Sequence, residues 1–308
     1  MSERTGPGDG SRAVAIGGGH GLSRSLDALA RVVDHVTAVV TVADDGGSSG
    51  RLRRDHDIVA PGDLRMALAT LARDRDLADL IQYRFSRGEL DGHSLGNLIL
   101  VTLQDLSAGD VVEGLDRLAR LLDVPGRVLP CTTVPVTLQA RADGGLVDGQ
   151  AAVATTSHLR QVWLDPTEPP ATPAAVAAVR RADLVVLGPG SLFTSVLPNL
   201  LVPGIARAIA ASEAPTVLVA NLREQPGETE GLSLPAHLDA LTEHVPGLRV
   251  DVLIAHDGPG PHEGKPLTVD LDALAERVDE VVVTDLFDGR NGHDPVALAA
   301  RFGELLAR

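Results

Sequence analysis

Ala13-Val14-Ala15-Ile16 runs straight into Gly17-Gly18-Gly19-His20-Gly21-Leu22. Four small apolar residues suit a central parallel strand, and three consecutive glycines then remove every β-carbon where the chain must turn. Leu22, Leu26, Leu29 and Val33 recur at helical spacing, so the turn feeds a helix. Bare amides and the positive end of the helix dipole at such a turn favour an anion, here a nucleotide phosphate. The same glycines equally serve a helix that only packs close to its sheet. The run is not the dinucleotide fingerprint, because Leu22 stands where the third glycine or alanine belongs.

The next β-branched run, His35 to Val42, predicts a second buried strand ending in Asp44-Asp45-Gly46-Gly47-Ser48-Ser49-Gly50-Arg51. Asp44 and Asp45 lie where a doubly wound fold places its ribose-binding acid, and the glycines and serines after them can form an amide nest. Alternatively the aspartates build a turn or hold Mg²⁺ beside phosphates, while Arg51 meets a phosphate or belongs to a solvated charged face. Asp63 after Pro61-Gly62 reads as a helix cap. His93 and Asn97 are four apart and share a helical face if the helix starts that early, as a ligand-facing pair or as a cap and a core group.

Farther on, Val111 to Leu122 predicts an amphipathic helix; alternation at Val134, Val136, Leu138 and Ala140, a turn at Asp143-Gly144-Gly145 and a return over Leu146 to Val153 predict a hairpin. Residues from Arg127 to about Leu164 therefore read as a β-rich insertion. Thr172-Pro173 opens a helix by the cap-plus-proline rule, and Asp294-Pro295 opens the terminal one. Leu184-Val185-Val186-Leu187 exits into Gly188-Pro189-Gly190-Ser191-Leu192-Phe193-Thr194-Ser195, and Thr216 to Ala220 exits into Asn221-Leu222-Arg223-Glu224-Gln225. Ser191, Thr194 and Ser195 have no histidine beside them in sequence, so nucleophilic chemistry finds no support there.

The fold expected is a three-layer, Rossmann-like, doubly wound and mostly parallel sheet, spanning residues 13–308 behind a tail of residues 1–12. Strand carboxyl ends share one edge in such a sheet, so the polar exits converge on one crevice. Composition narrows its partners. Lys and Arg number 27 against 42 Asp and Glu, a net charge of −15 that opposes nucleic acid and anionic membranes. Leu184 to Ala206 carries no charge, but its prolines and glycines break it and exclude membrane insertion. Cys131 is the only cysteine, which rules out an internal disulfide and fits a reducing cytoplasm.

Together these segments, with Pro61-Gly62-Asp63-Leu64-Arg65, Gly92-His93-Ser94-Leu95-Gly96-Asn97-Leu98, Gly188 to Leu201 and Gln225-Pro226-Gly227-Glu228-Thr229, closely resemble the YvcK family of gluconeogenesis factors over nearly the full chain. The resemblance implies a cytoplasmic protein that binds UDP-N-acetylglucosamine or UDP-glucose without catalysis and supports cell shape and wall synthesis during gluconeogenic growth. It requires no cofactor. A nucleotide-sugar as ligand, an unidentified regulatory protein partner and a homo-oligomer follow as expectations. Gly17 to Leu22, Gly188, Gly190, Ser191 and Thr194 would face the phosphates, Asp44 or Asp45 the ribose or base, and Asn199, Asn221 and Gln225 the sugar or uracil. The family is similar in fold to phospholactate transferases, so a Mg²⁺-dependent transferase with Asp44 and Asp45 as ligands is the rival; a nicotinamide-dependent dehydrogenase ranks last. One departure stands out: the family's Arg-His-Asp is Gly292-His293-Asp294 here, with Arg290 two residues upstream as a candidate replacement.

Overall fold

The computed structural model describes residues 10–56, 58–258, 260–261 and 264–308. Most of the predicted tail, residues 1–9, lies outside them. The chain is ordered earlier than residue 13, since the Ser11 amide and hydroxyl both donate to Asp34 Oδ2, at 2.9 and 3.0 Å.

The first half runs β1 (Arg12–Gly17), α1 (Gly19–Leu29), β2 (His35–Val40), α2 (Gly47–His56), α3 (Gly62–Leu71), α4 (Arg75–Gln82), α5 (Leu95–Asp105), α6 (Val111–Leu121) and β3 (Arg127–Pro130). A small β lobe follows: β4 (Thr137–Ala142), β5 (Gly145–Asp148), α7 (Gln150–Val153) and β6 (Leu159–Asp165). The second half runs α8 (Pro173–Val179), β7 (Leu184–Leu187), a π-helical turn at Leu192–Val196, α9 (Leu197–Leu200), α10 (Pro203–Ala210), β8 (Thr216–Val219), α11 (Leu234–His244), β9 (Val252–His256), α12 (Leu271–Ala275), β10 (Glu280–Thr284) and α13 (Pro295–Leu306).

Among the described residues these strands form a parallel seven-stranded sheet, ordered β10-β9-β8-β7-β1-β2-β3, and a three-stranded antiparallel sheet, β5-β4-β6. β1 lies between β2 and β7, with Ala13 opposite Val36 on one side and Leu184 on the other. β2 and β3 step away in one direction; β7 to β10 step in the other. The switch point is therefore between β1 and β7, where the chain is buried on both faces and the strands can be uniformly apolar.

Several local expectations change. β2 ends at Val40 rather than Val42, and β3 pairs with β2, so the antiparallel lobe begins at Thr137 rather than Arg127. The predicted return strand stops at Asp148, because Gly149 takes φ +92° and the chain turns into α7. Asp294 caps α13 through Val296 N–H, whereas the Thr172 hydroxyl makes no cap bond and is buried without a partner. Leu184–Ala206 divides among β7, the π-helical turn and two short helices. Among the described residues no single helix is long and apolar enough to cross a membrane, and the one helix pair that passes by length is bent by 78° and largely buried.

Candidate functional site

A cleft of about 970 Å³ opens at the switch point, on the carboxyl edge of β1, β7 and β8. His20, Gly21, Ser23 and Arg24 of α1 form one wall, and Pro189, Gly190 and Ser191 the floor. Asn221 to Pro226 and Glu228 follow β8, while Asn291, Gly292 and His293 close the far side. Met66 and Thr70 of α3 and Arg75, Asp79 and Gln82 of α4 complete it.

The glycine turn divides its labour. Gly21 is a packing glycine: a Cβ there would stand 2.2 Å from the Pro189 carbonyl oxygen. Gly18 is another, since its Cβ would meet Asp63 Oδ2 at 2.4 Å. Gly19 needs glycine for its backbone, at φ +62° with open space around it. Its amide donates to Asp63, and α1 has no side-chain cap, so the amides of His20 and Gly21 are what the helix start contributes to the cleft. Gly17 and Leu22 are buried beneath it. Ser25 Oγ donates to the Gly188 carbonyl at 2.6 Å and locks α1 onto the exit of β7.

Asp63 is not a cap. Pro61 holds the N-cap position of α3, and Asp63 sits in its first turn against Gly18. Burial, then the charge of Asp44, raises its pKa from 3.8 to about 7, against the opposing pull of the Gly19 amide and Arg65.

The loop after β2 forms a scaffold beside the cleft rather than its lining. Asp44 Oδ1 accepts the Gly46 amide at 2.9 Å, and Asp45 Oδ1 accepts the Ala151 amide at 3.0 Å, tying the β lobe to the main sheet. Gly47 takes φ +44°, and Ser49 packs beside Gly62. Ser48 Oγ meets His93 Nδ1 at 3.2 Å and accepts from Asn97 Nδ2 at 3.1 Å. His93 thus lies before α5, whose N-cap position is Ser94, and His93 and Asn97 both meet the Ser48 hydroxyl. Arg51 donates to the Asp91 carbonyl.

Asn199 is fully buried and donates to the Gly17 and Ser195 carbonyls at 3.0 and 2.8 Å, so it braces β1 and has no place in the cleft. Asn221 does line it: its side chain pairs with both the amide and the carbonyl of Gly190, at 3.1 and 2.9 Å, and reaches Gln225 Oε1 at 3.1 Å. Glu228, whose role no local pattern marks, organises the floor. It accepts from the Ser191 hydroxyl and from the Phe193 and Thr194 amides at 2.7 and 3.0 Å, while Thr194 Oγ1 donates to Ser191. Burial raises its pKa despite these bonds. Arg290 is exposed outside the cleft lining and replaces nothing there; Arg24 lies against Gly292 instead.

This α/β chain belongs to the CofD family, whose profile, described as 2-phospho-L-lactate transferase CofD, matches residues 13–287. Among the proteins it is similar to are gluconeogenesis factors. A Mycobacterium tuberculosis protein of that name group is 53% identical over 256 residues, covering 78% of this chain and 75% of that one. The gluconeogenesis factor of Listeria monocytogenes is 44% identical over 238 residues, covering 76% and 74%. The crystal structure of a UPF0052 family protein from Bacillus halodurans superposes with a TM-score of 0.89 at 36% identity, covering 97% of this chain and 99% of that one.

Proposed function

We propose that this chain is a non-enzymatic regulatory protein that binds a nucleotide-sugar, UDP-N-acetylglucosamine or UDP-glucose, in the switch-point cleft, and acts in the cytoplasm on cell shape and wall synthesis during gluconeogenic growth. The observation that carries the reading is the cleft itself. Its volume of about 970 Å³ is at the upper end for small-molecule sites, and the His20 and Gly21 backbone and Gln225 offer it neutral hydrogen-bonding groups beside Arg24 and Arg223, with Asn221 fixing Gly190 in its floor. The gluconeogenesis-factor relatives support the gluconeogenic part of this reading. A regulatory role further requires that the ligand bind two conformations with different affinity.

The transferase description of the matching family supports a second reading, group transfer from a nucleotide-activated donor. One oxygen of Asp45 is engaged by the Ala151 amide, and among the described residues no group of three or more His, Cys, Asp or Glu side chains is placed to hold a metal. Asp44 and Asp63, close enough to repel, are the carboxylates that would hold the ion.

Calorimetric titration with UDP-N-acetylglucosamine, UDP-glucose, GTP and NAD, with and without Mg²⁺ and with each mixture assayed for product, separates the readings. Saturable UDP-sugar binding without turnover is the predicted result. Sustained Mg²⁺-dependent turnover establishes the transferase instead.

A further inference from the structure

Arg24 stands midway along α1 on the cleft wall, and its Nη2 donates to Asp288 Oδ2 at 3.0 Å. The other oxygen, Asp288 Oδ1, accepts the backbone amides of Arg290, Asn291 and Gly292 at 2.8, 3.0 and 3.1 Å. One carboxylate therefore folds the loop after β10 and fixes the guanidinium beside it. Gly292 leaves room for it: an ideal Cβ there would lie 3.0 Å from Arg24 Nη2 and 3.2 Å from Nε, so a side chain would shift the guanidinium by a few tenths of an ångström.

The pair is asymmetric in its exposure. Arg24 is 36% exposed and Asp288 13%, so the cation reaches the cleft while its counter-ion stays behind it. Only one of the guanidinium's five donors is engaged by Asp288. Arg223, also in the lining, has Nη1 committed to the Gly264 carbonyl at 2.8 Å. Of the four carboxylates in the lining, Glu228 is occupied by the floor hydroxyl and amides, Asp27 pairs with Arg31, Glu224 accepts the Gly231 amide, and Asp79 stands on α4. Arg24 also shares α1 with the His20 and Gly21 amides. A planar fork of donors on the same helix as those amides suits the several acceptor oxygens of a diphosphate.

We propose that Arg24, held by Asp288 in the space Gly292 leaves open, forms an anion subsite that receives the ligand's diphosphate and selects charged over neutral nucleoside ligands. The proposal rests on the nucleotide-sugar reading, although the subsite itself asks only for a diphosphate.

The test titrates wild type, R24A and the double variant R24A/G292R with UDP-N-acetylglucosamine, inorganic pyrophosphate and uridine, with thermal unfolding as a check on each fold. R24Q serves the same comparison should R24A unfold. Loss of a charge-assisted contact predicts about 10- to 100-fold weaker binding of both anions by R24A. Uridine binding stays unchanged, and the double variant recovers most of the loss because its new guanidinium enters the vacated space. Equal binding of both anions by wild type and R24A overturns the subsite, as does an equal loss for uridine. Pyrophosphate binding that depends on Arg24, without any UDP-sugar binding, upholds the subsite and removes the nucleotide-sugar reading. UDP-sugar binding indifferent to Arg24 does the reverse.

Discussion

Gly21→Ala tests whether the first helix and the exit of β7 are a close-packed unit rather than two loops that happen to meet. The added Cβ would lie 2.2 Å from the Pro189 carbonyl oxygen, 2.6 Å from its carbon and 2.8 Å from Gly190 Cα. All three are backbone atoms, so no rotamer relieves the clash; α1 or the 188–191 loop must move by about 1 Å to restore contact distances. Overpacking of this kind costs about 1–3 kcal/mol. With roughly 2.1 cal/mol/K of unfolding entropy per residue, a chain of 308 residues has about 0.65 kcal/mol/K, so Tm falls by about 2–5 °C. Gly144→Ala is the control, because its Cβ would meet nothing within 4 Å and its φ is not positive; a change under about 1 °C is expected. Differential scanning calorimetry reads both. Equal Tm values for the two variants would refute the packing argument. Since Gly21 lines the cleft, weaker binding of the proposed UDP-sugar by the variant is the expected result in the same calorimetric titration.

Burial, with the Asp44 charge beside it, raises the Asp63 pKa from 3.8 when unfolded to about 7. Below 3.8 it carries no penalty, and its contribution to stability is lost progressively as pH rises towards 7 and above. Asp63→Asn removes that loss, so its unfolding free energy relative to wild type should climb between pH 5 and pH 8 by about 3 kcal/mol; a pH-independent difference contradicts the assignment. His293 behaves oppositely. Its Nε2 meets the Ala220 carbonyl at 2.9 Å and burial lowers its pKa to about 4, so the neutral ring stabilises the fold above 6.5 and that stability drains away as pH falls to 4. His293→Asn flattens the acid limb of the urea-unfolding profile by roughly 3 kcal/mol; an unchanged limb counts against it. Glu228→Ala strands the Phe193 and Thr194 amides and the Ser191 hydroxyl, each worth about 1–3 kcal/mol when unpaired, so the urea midpoint should drop sharply; a variant as stable as wild type contradicts its role in the floor.

The strands at the switch point were readable because they are buried on both faces, and Val185, Val186, Val217 and Leu253 make that burial a continuous apolar run. Their polar exits could be placed on one edge for the same reason. The partition of those exits between cleft and scaffold was not readable, because it depends on contacts between distant segments. Asp45 reaches Ala151, 106 positions away, and Glu228 reaches the turn at Phe193, 35 positions back. Neither contact leaves a local pattern. Asn199 has the composition of a binding residue, yet a carbonyl of β1 claims its amide. Met66 and Thr70 belong to a helix whose apolar spacing announces packing, and only the docking of α3 against α1 turns them towards the cleft. Arg24 follows the glycine turn by three residues, but the reason it can lie there is the missing side chain at Gly292.

Hydrogen exchange of the amides with and without saturating UDP-N-acetylglucosamine tests the central claim most directly, because it reports where the ligand sits as well as whether it binds. Protection concentrated at Gly18–Arg24, Gly188–Thr194, Asn221–Glu228 and Gly292–His293 is the predicted result. Protection confined to the β4–β6 lobe, or none at saturation, would contradict a nucleotide-sugar site at the switch point.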